Sequence, residues 1–436
     1  MDHTFLIAFF DVLNRQFNYA VLRGAEGLPE KNSGRDIDIL VAPHEFKQIL
    51  RFTATLAEQH HLKIFSLTRD PSFWSLCLGD SKKIFMLEFW FAFNIYGVNR
   101  IDVSEFLDAR IFNGKIYCLP PVYSFCGKYI FSRSCGQPYP RKYQALQSDV
   151  LLHHKPELEI ILNKSQMGRH LSYEEWESCT RTRLWFRSLS FELLMHPLKL
   201  VRSIGGWGKH WLRRLMCPQG MAISFSGPDG CGKTTVIELL RERLAVNPPM
   251  LFHFRPSLLP NLGEVAHKAG AVKEVDRNFD RPHRGQRKGL ISSLIRLAYY
   301  SCDYVIGYAV RILPLQQRKH IVFFDRYFTD IIVDGERSSI FLNYRFLARL
   351  RHFIPGCQYN FLFRVDPERI LNRKQELSGE AIERIYSRLE YLASCDGSYY
   401  WIDNNGTPEQ AVEQILEILL CCQHRKCSGF LPFSSK

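Results

Sequence analysis

The stretch ISFSGPDGCGKTTVIELL, residues 223–240, constrains this chain more than any other. Its spacing Gly227-x-x-x-x-Gly232-Lys233-Thr234 is that of a phosphate-cradling loop. Upstream, Met221, Ile223 and Phe225 alternate as in a strand; downstream, Val236, Leu239, Leu240 and Leu244 recur at helical spacing, with no proline before Pro248. Strand, glycine loop and helix therefore follow in the order such a loop needs. Glycines let consecutive backbone N–H groups turn inward, and the helix N-terminus adds partial positive charge. Gly227, Pro228, Asp229, Gly230, Cys231, Gly232, Lys233, Thr234 and Thr235 are thus predicted to bind ATP. Lys233 would reach the β- and γ-phosphates, and the Thr234 hydroxyl would sit on Mg²⁺.

A chain of 436 residues is long for one core, so two or three domains are expected. Hydrophobic content of 46 % with 23 % charged residues describes a globular protein. The net charge of +13 divides into +7 over residues 1–219 and +6 over 220–436. Without a basic block or tail, small phosphorylated ligands fit that balance better than nucleic acid. Thirteen cysteines without framework spacing, behind an opening MDHTFLIAFFDVLNR that lacks a basic n-region, suggest reduced thiols and a cytoplasmic setting. Near the end, Cys421, Cys422, His424 and Cys427 match no common zinc spacing. The apolar run 290–315 is cut by Arg296, Asp303 and Arg311 into pieces too short to span a bilayer. A buried helix under the P-loop sheet is expected there.

Along the chain, residues 1–118 read as mixed α/β, 119–195 as helical, 196–220 as a basic linker, 221–425 as the P-loop domain and 426–436 as a tail. The linker reading rests on its proline, its Gly-Gly pair and five Lys or Arg. Its two tryptophans also suit peripheral contact with an anionic membrane through 196–215. From 221 onward strands and helices alternate, which implies a parallel sheet flanked by helices. The last helix is predicted to open with Thr407 as N-cap, Pro408 at N1 and Gln410 completing a capping box.

Ile321-Val322-Phe323-Phe324-Asp325 reads as a buried strand delivering a carboxylate to the Mg²⁺ shell at its C-terminal end. With GPDGCGKTT, FRP (254–256), DRY (325–327) and NRKQELSGEAIERIYSRLEYLA (372–393) in this order, the second half resembles thymidylate kinase-like P-loop kinases. The resemblance covers about 200 residues. It implies that Arg326 and Arg255, with Tyr327 beside them, hold the acceptor's phosphate. It also implies that Asp229 faces the acceptor and that a basic lid closes over ATP. Gly230 stands where some relatives carry arginine, so a lid cation must serve the transition state. Arg373 is the first candidate and Arg384 the second, with Lys374 and Arg388 nearby. Where thymidylate kinases have a serine-rich, base-recognising stretch, DRYFTDIIVDGERSS offers Asp330, Asp334 and Arg337. Carboxylates suit sugar hydroxyls as readily as a pyrimidine, so the acceptor is read as a nucleoside monophosphate or a phosphorylated sugar.

In the first half, Asp36 and Asp38 project from one face of an apolar strand, close enough to share a divalent ion. Glu88 lies within the apolar run FMLEFWFAF, where an unpartnered carboxylate is costly. Two paired acids and a buried third match a metal cage for nucleotidyl transfer. The pattern LRG…DIDILV resembles the minimal nucleotidyltransferase fold, in the form fused to thymidylate kinase-like domains in bacterial polysaccharide gene clusters. Gly24-Ala25 replaces that family's Gly-Ser pair. The fold class expected is therefore α/β, a nucleoside monophosphate kinase-like P-loop sheet behind an α+β nucleotidyltransferase-like domain. The function expected is ATP- and Mg²⁺-dependent phosphotransfer. A bifunctional kinase/nucleotidyltransferase and a nucleotide-gated binding protein are the alternatives, and a homodimer is compatible with each.

Overall fold

The computed structural model describes residues 3–32, 36–95, 98–99, 101–164, 171–245, 247–260, 289–373 and 377–429. The chain divides into two compact units, Met1–Arg213 with Leu419–Lys436, and Arg214–Ile418.

The first unit is built on a mixed seven-stranded sheet. Its order is Lys63–Arg69, Phe73–Gly79, Ile84–Trp90, Asp36–Val41, Tyr19–Val21, Tyr117–Cys118, Ile111–Phe112. Asp36–Val41 and Ile84–Trp90 run parallel, with Asp38 opposite Glu88. One face is covered by helices His3–Gln16 and Phe46–Gln59, whose Phe5, Phe9, Ile49 and Leu50 pack on Ile37, Ile39, Leu87 and Phe89. A second cluster joins Leu40 and Trp90 to helix Pro121–Cys135 and the helices after it. All thirteen cysteines are free thiols. Near the C-terminus, His424 Nδ1 accepts from the Ile64 backbone N–H at 3.2 Å and Lys63 Nζ lies 3.1 Å from Cys421 Sγ.

Within the segment 196–220 that reads as a linker, residues 197–216 form one helix, Pro197–Met216. Pro197 opens it, where a missing N–H costs nothing. Each internal glycine costs about 1 kcal/mol relative to alanine, and the helix runs through three of them.

The second unit is a five-stranded, all-parallel sheet in the order Met250–His253, Ile321–Asp325, Met221–Ser226, Tyr359–Arg364, Tyr399–Asp403. The P-loop strand Met221–Ser226 is central and wholly buried, and its neighbours are buried save for their last residues. Such unbroken apolar strands fit a sheet covered on both faces. Phe225 meets Phe323 and Phe361 at ring separations of 5.0 and 5.8 Å. The last helix, Pro408–Ser428, begins with the capping box: the Gln410 N–H donates to Thr407 Oγ1 at 3.4 Å, and the Thr407 N–H donates to Gln410 Oε1 at 3.0 Å. The helix Leu290–Gly307 corrects the buried-helix expectation. It buries Ser293, Leu297, Asp303, Tyr304 and Gly307 but exposes Leu290, Ile291, Ile295 and Ile306. Its apolar residues encircle it, and one face can bury only part of them.

Candidate functional site

The P-loop strand and its parallel neighbour align Phe225 with Asp325, so the glycine loop and the Asp325 carboxylate leave the sheet side by side. A cavity of about 650 Å³ opens at this edge. Its walls carry Asp229, Gly230, Gly232, Lys233, Thr234, Thr235, Asp325, Arg326, Arg337, Arg373 and Asn404. Gly230 and Gly232 have φ of 86° and 84°, a region that side chains with a Cβ rarely occupy. A Cβ on Gly232 would also stand 2.7 Å from Asn404 Nδ2. Gly227, Pro228 and Cys231 form the loop's inner side and do not line the cavity. Lys233 opens the helix Lys233–Arg243; its ammonium donates to the carbonyls of Gly227 and Pro228 at 2.8 and 2.9 Å.

Charge is concentrated around Asp229. Its two oxygens accept from Arg326 and Arg337. Burial alone would raise this carboxyl's pKa, but Arg326, Lys233 and Arg337 outweigh it and hold the group below its ordinary value. Arg326 also donates to Asp330 Oδ1 at 2.9 Å. Asp330 in turn accepts from Ser226 Oγ at 2.7 Å. Arg326 adopts a left-handed φ of 72°, and its backbone N–H donates to Phe225 O at 3.0 Å. Asp325 Oδ2 lies 3.4 Å from His253 Nδ1, while its buried Oδ1 has no hydrogen-bond partner.

The structure places several of the expected residues outside this cavity. Arg255 does not line this cavity: its guanidinium donates to Asp303 Oδ2 at 2.9 Å and lies 5.4 Å from the Tyr300 ring centroid. Asp303 Oδ1 accepts the backbone N–H groups of Leu258 and Leu259 at 2.8 and 2.7 Å, so the pair fastens the loop after the edge strand Met250–His253 to the helix Leu290–Gly307. Tyr327 is buried, donates its hydroxyl to Pro355 O at 2.6 Å, and lines a separate cavity of about 230 Å³. Asp330, read as a sugar ligand, is an internal brace for Arg326 and Ser226. Arg384 lines a third cavity with Asp334, Glu336 and Arg388, away from the phosphate loop. Arg388 donates to Val333 O at 2.9 Å. Of the lid cations only Arg373 reaches the main cavity among the described residues; Lys374 lies outside them.

Two contributors carry no local sequence signal for this role. Arg337 lies over a hundred residues from Asp229 in an unpatterned turn. Asn404 donates Nδ2 to the Cys231 carbonyl at 2.7 Å, and its buried Oδ1 has no hydrogen-bond partner.

In the first unit, ligand atoms of Asp36, Asp38 and Glu88 all lie within 4.8 Å of one another. Ser75 Oγ donates to Glu88 at 2.7 Å, Trp90 Nε1 donates to Asp38 at 3.3 Å, and Arg23 pairs with Asp38. Burial, then repulsion from Asp38, raises the Glu88 carboxyl's pKa. No described helix is long and apolar enough to cross a membrane.

No family model and no curated protein matches the sequence. Among solved structures, the chain is similar to a thymidylate kinase from Ehrlichia chaffeensis, 19 % identical, covering 46 % of this chain and 98 % of that one with a TM-score of 0.32. It is likewise similar to a thymidylate kinase from Candida albicans, 19 % identical, covering 47 % of this chain and 93 % of that one with a TM-score of 0.35.

Proposed function

We propose that the second unit is an ATP- and Mg²⁺-dependent phosphotransferase whose acceptor is a nucleoside monophosphate or a phosphorylated sugar. The supporting observation is the lining of one cavity by Lys233, Thr234, Asp325, Arg326, Arg337 and Arg373. Four cations there face two carboxylates, Asp229 and Asp325, a balance that favours a polyanionic ligand. Phosphoryl transfer asks mainly for positioning and for charge placed on the migrating group. Mg²⁺ fits the Thr234 hydroxyl and Asp325, whose Oδ1 has no protein partner; when bound it would neutralise phosphate oxygens. Lys233 orients the donor's outer phosphates, Arg373 supplies charge to the transition state, and Asp229 holds Arg326 and Arg337 in place for phosphate oxygens. Screening the purified chain with labelled ATP against nucleoside monophosphates and sugar phosphates tests this. ATP binding with no labelled product from any acceptor would favour a nucleotide-gated binding protein.

Arg373→Ala should lower kcat about 10²-fold with little change in ATP affinity, because charge developing in the transition state loses its partner. Arg384→Ala should leave kcat within about twofold. Steady-state kinetics on both variants decides between them, and the reverse ranking would return the lid role to Arg384.

The three-carboxylate cluster favours a second activity in the first unit, nucleotidyl transfer on a divalent ion held by Asp36, Asp38 and Glu88. Arg23 would then have to yield Asp38 to the metal. Asp36→Ala with Asp38→Ala should abolish Mn²⁺ binding by that unit in titration calorimetry while phosphotransfer by the second unit stays intact. Loss of phosphotransfer in the folded double variant would make the first unit part of the kinase site.

A further inference from the structure

The helix Pro197–Met216 presents three different sides, and its rotation about its own axis is fixed. One side packs on the first unit: Leu200 is buried, Ser203 Oγ accepts from Asn94 Nδ2, Trp207 is half-buried, and His210 Nε2 lies 3.9 Å from Asp70. At 100° per residue these four positions share one arc. The adjoining arc holds Leu198, Val201, Ile204, Trp211 and Leu212, exposed by 75, 67, 42, 53 and 55 %. The remaining arc holds Lys199, Arg202, Lys209 and Arg213, all exposed. No acidic residue occurs between Glu192 and Asp229.

We infer that this helix docks the protein in the interface of an anionic lipid bilayer. An apolar stripe beside an unbroken basic flank suits a surface that is greasy beneath and uniformly negative above. Trp211 sits on the apolar stripe, and an indole's apolar body with a polar N–H favours the headgroup level. The side already anchored leaves the stripe facing outward. A second copy of the chain fits the face poorly: it would set basic flank against basic flank with no carboxylate to offset them. An acidic protein partner would leave the Leu–Val–Ile stripe to be matched by a groove, whereas a bilayer accepts it without a defined register. This inference is independent of the phosphotransferase reading, because none of these residues lines the phosphate cavity.

Co-sedimentation of the full chain with vesicles tests it. Vesicles of phosphatidylcholine containing about 30 % phosphatidylglycerol should carry the protein down, and pure phosphatidylcholine vesicles should not. Raising the salt to about 0.5 M should release most of it. Replacing Lys199, Arg202, Lys209 and Arg213 with Gln should weaken binding by about 100-fold or more, at about fivefold per charge. Val201→Glu with Leu212→Glu should abolish it, and unchanged ATP binding would show that the fold is kept. Gly208 lies on the same stripe with nothing within 4 Å of an added Cβ, so Gly208→Leu should tighten binding about tenfold, a gain that unfolding cannot mimic. Failure to sediment with anionic vesicles overturns the inference. So does a concentration-dependent dimer that Val201→Glu with Leu212→Glu dissolves, without vesicle binding, in sedimentation velocity.

Discussion

Lys233→Ala should abolish phosphotransfer and greatly weaken ATP binding while the protein still folds. The ammonium is buried at the mouth of the glycine loop, held by two loop carbonyls and turned to the cavity. Among the described residues no other ammonium stands in the cavity wall, and the Arg326 and Arg337 guanidiniums already share their charge with Asp229. Removing it leaves the donor's outer phosphates short of one full charge in a partly enclosed site, where such charge acts most strongly. Turnover should fall at least about 10³-fold, and nucleotide affinity should fall with it. Calorimetric titration of ATP and single-turnover transfer measure the two effects separately. A variant that transfers phosphate at the wild-type rate would mean that the reaction site lies elsewhere.

Asp303→Ala should cost about 3–5 kcal/mol of stability, because it removes the carboxylate that a buried guanidinium and two backbone N–H groups share. Asp303 is fully buried, Arg255 nearly so, and Leu258 and Leu259 share the second carboxylate oxygen. For a unit of this size the melting temperature should drop by about 10 °C. Asp303→Ala combined with Arg255→Met should recover only the share of the loss that comes from the guanidinium, since the Leu258 and Leu259 N–H groups still lack their acceptor. Differential scanning calorimetry on the two variants reads this directly. If Asp303→Ala melted with the wild type and instead weakened acceptor binding, Arg255 would be a ligand after all.

Arg255 shows where a structural partner stays hidden in the sequence. A cation directly after a strand in a phosphate-binding unit reads as a phosphate ligand, and nothing local reveals that its partner is an aspartate 48 residues away. Asp325 was legible because a run of apolar residues ending in an acid has few uses, and the parallel register then sets it beside the glycine loop. The capping box at Thr407 was legible for a similar reason: three successive local preferences agree. Asn404 was not, and the pairing of Arg337 with Asp229 was not, since each is one long-range contact that no periodicity encodes. The strands Lys63–Arg69 and Phe73–Gly79 escaped because their polar and apolar residues do not alternate cleanly. At residues 197–216 proline and glycine content read as a connector, and the segment is helical across its three glycines with Leu200 buried.

The left-handed backbone of Arg326 bears on how this site can drift over evolutionary time. A non-glycine residue held at such a φ carries about 1–3 kcal/mol of strain, which glycine would relieve. Glycine, however, would leave Asp229 and Asp330 without the cation that bridges them. Lysine would restore the charge but could not span both carboxylates with one planar fork. Backbone and side chain therefore select against different replacements, and no single alternative satisfies both. Among descendants of this chain, arginine here would mark lineages that keep the Asp229–Arg326–Asp330 bridge, and glycine those in which the backbone has been eased after that bridge was lost.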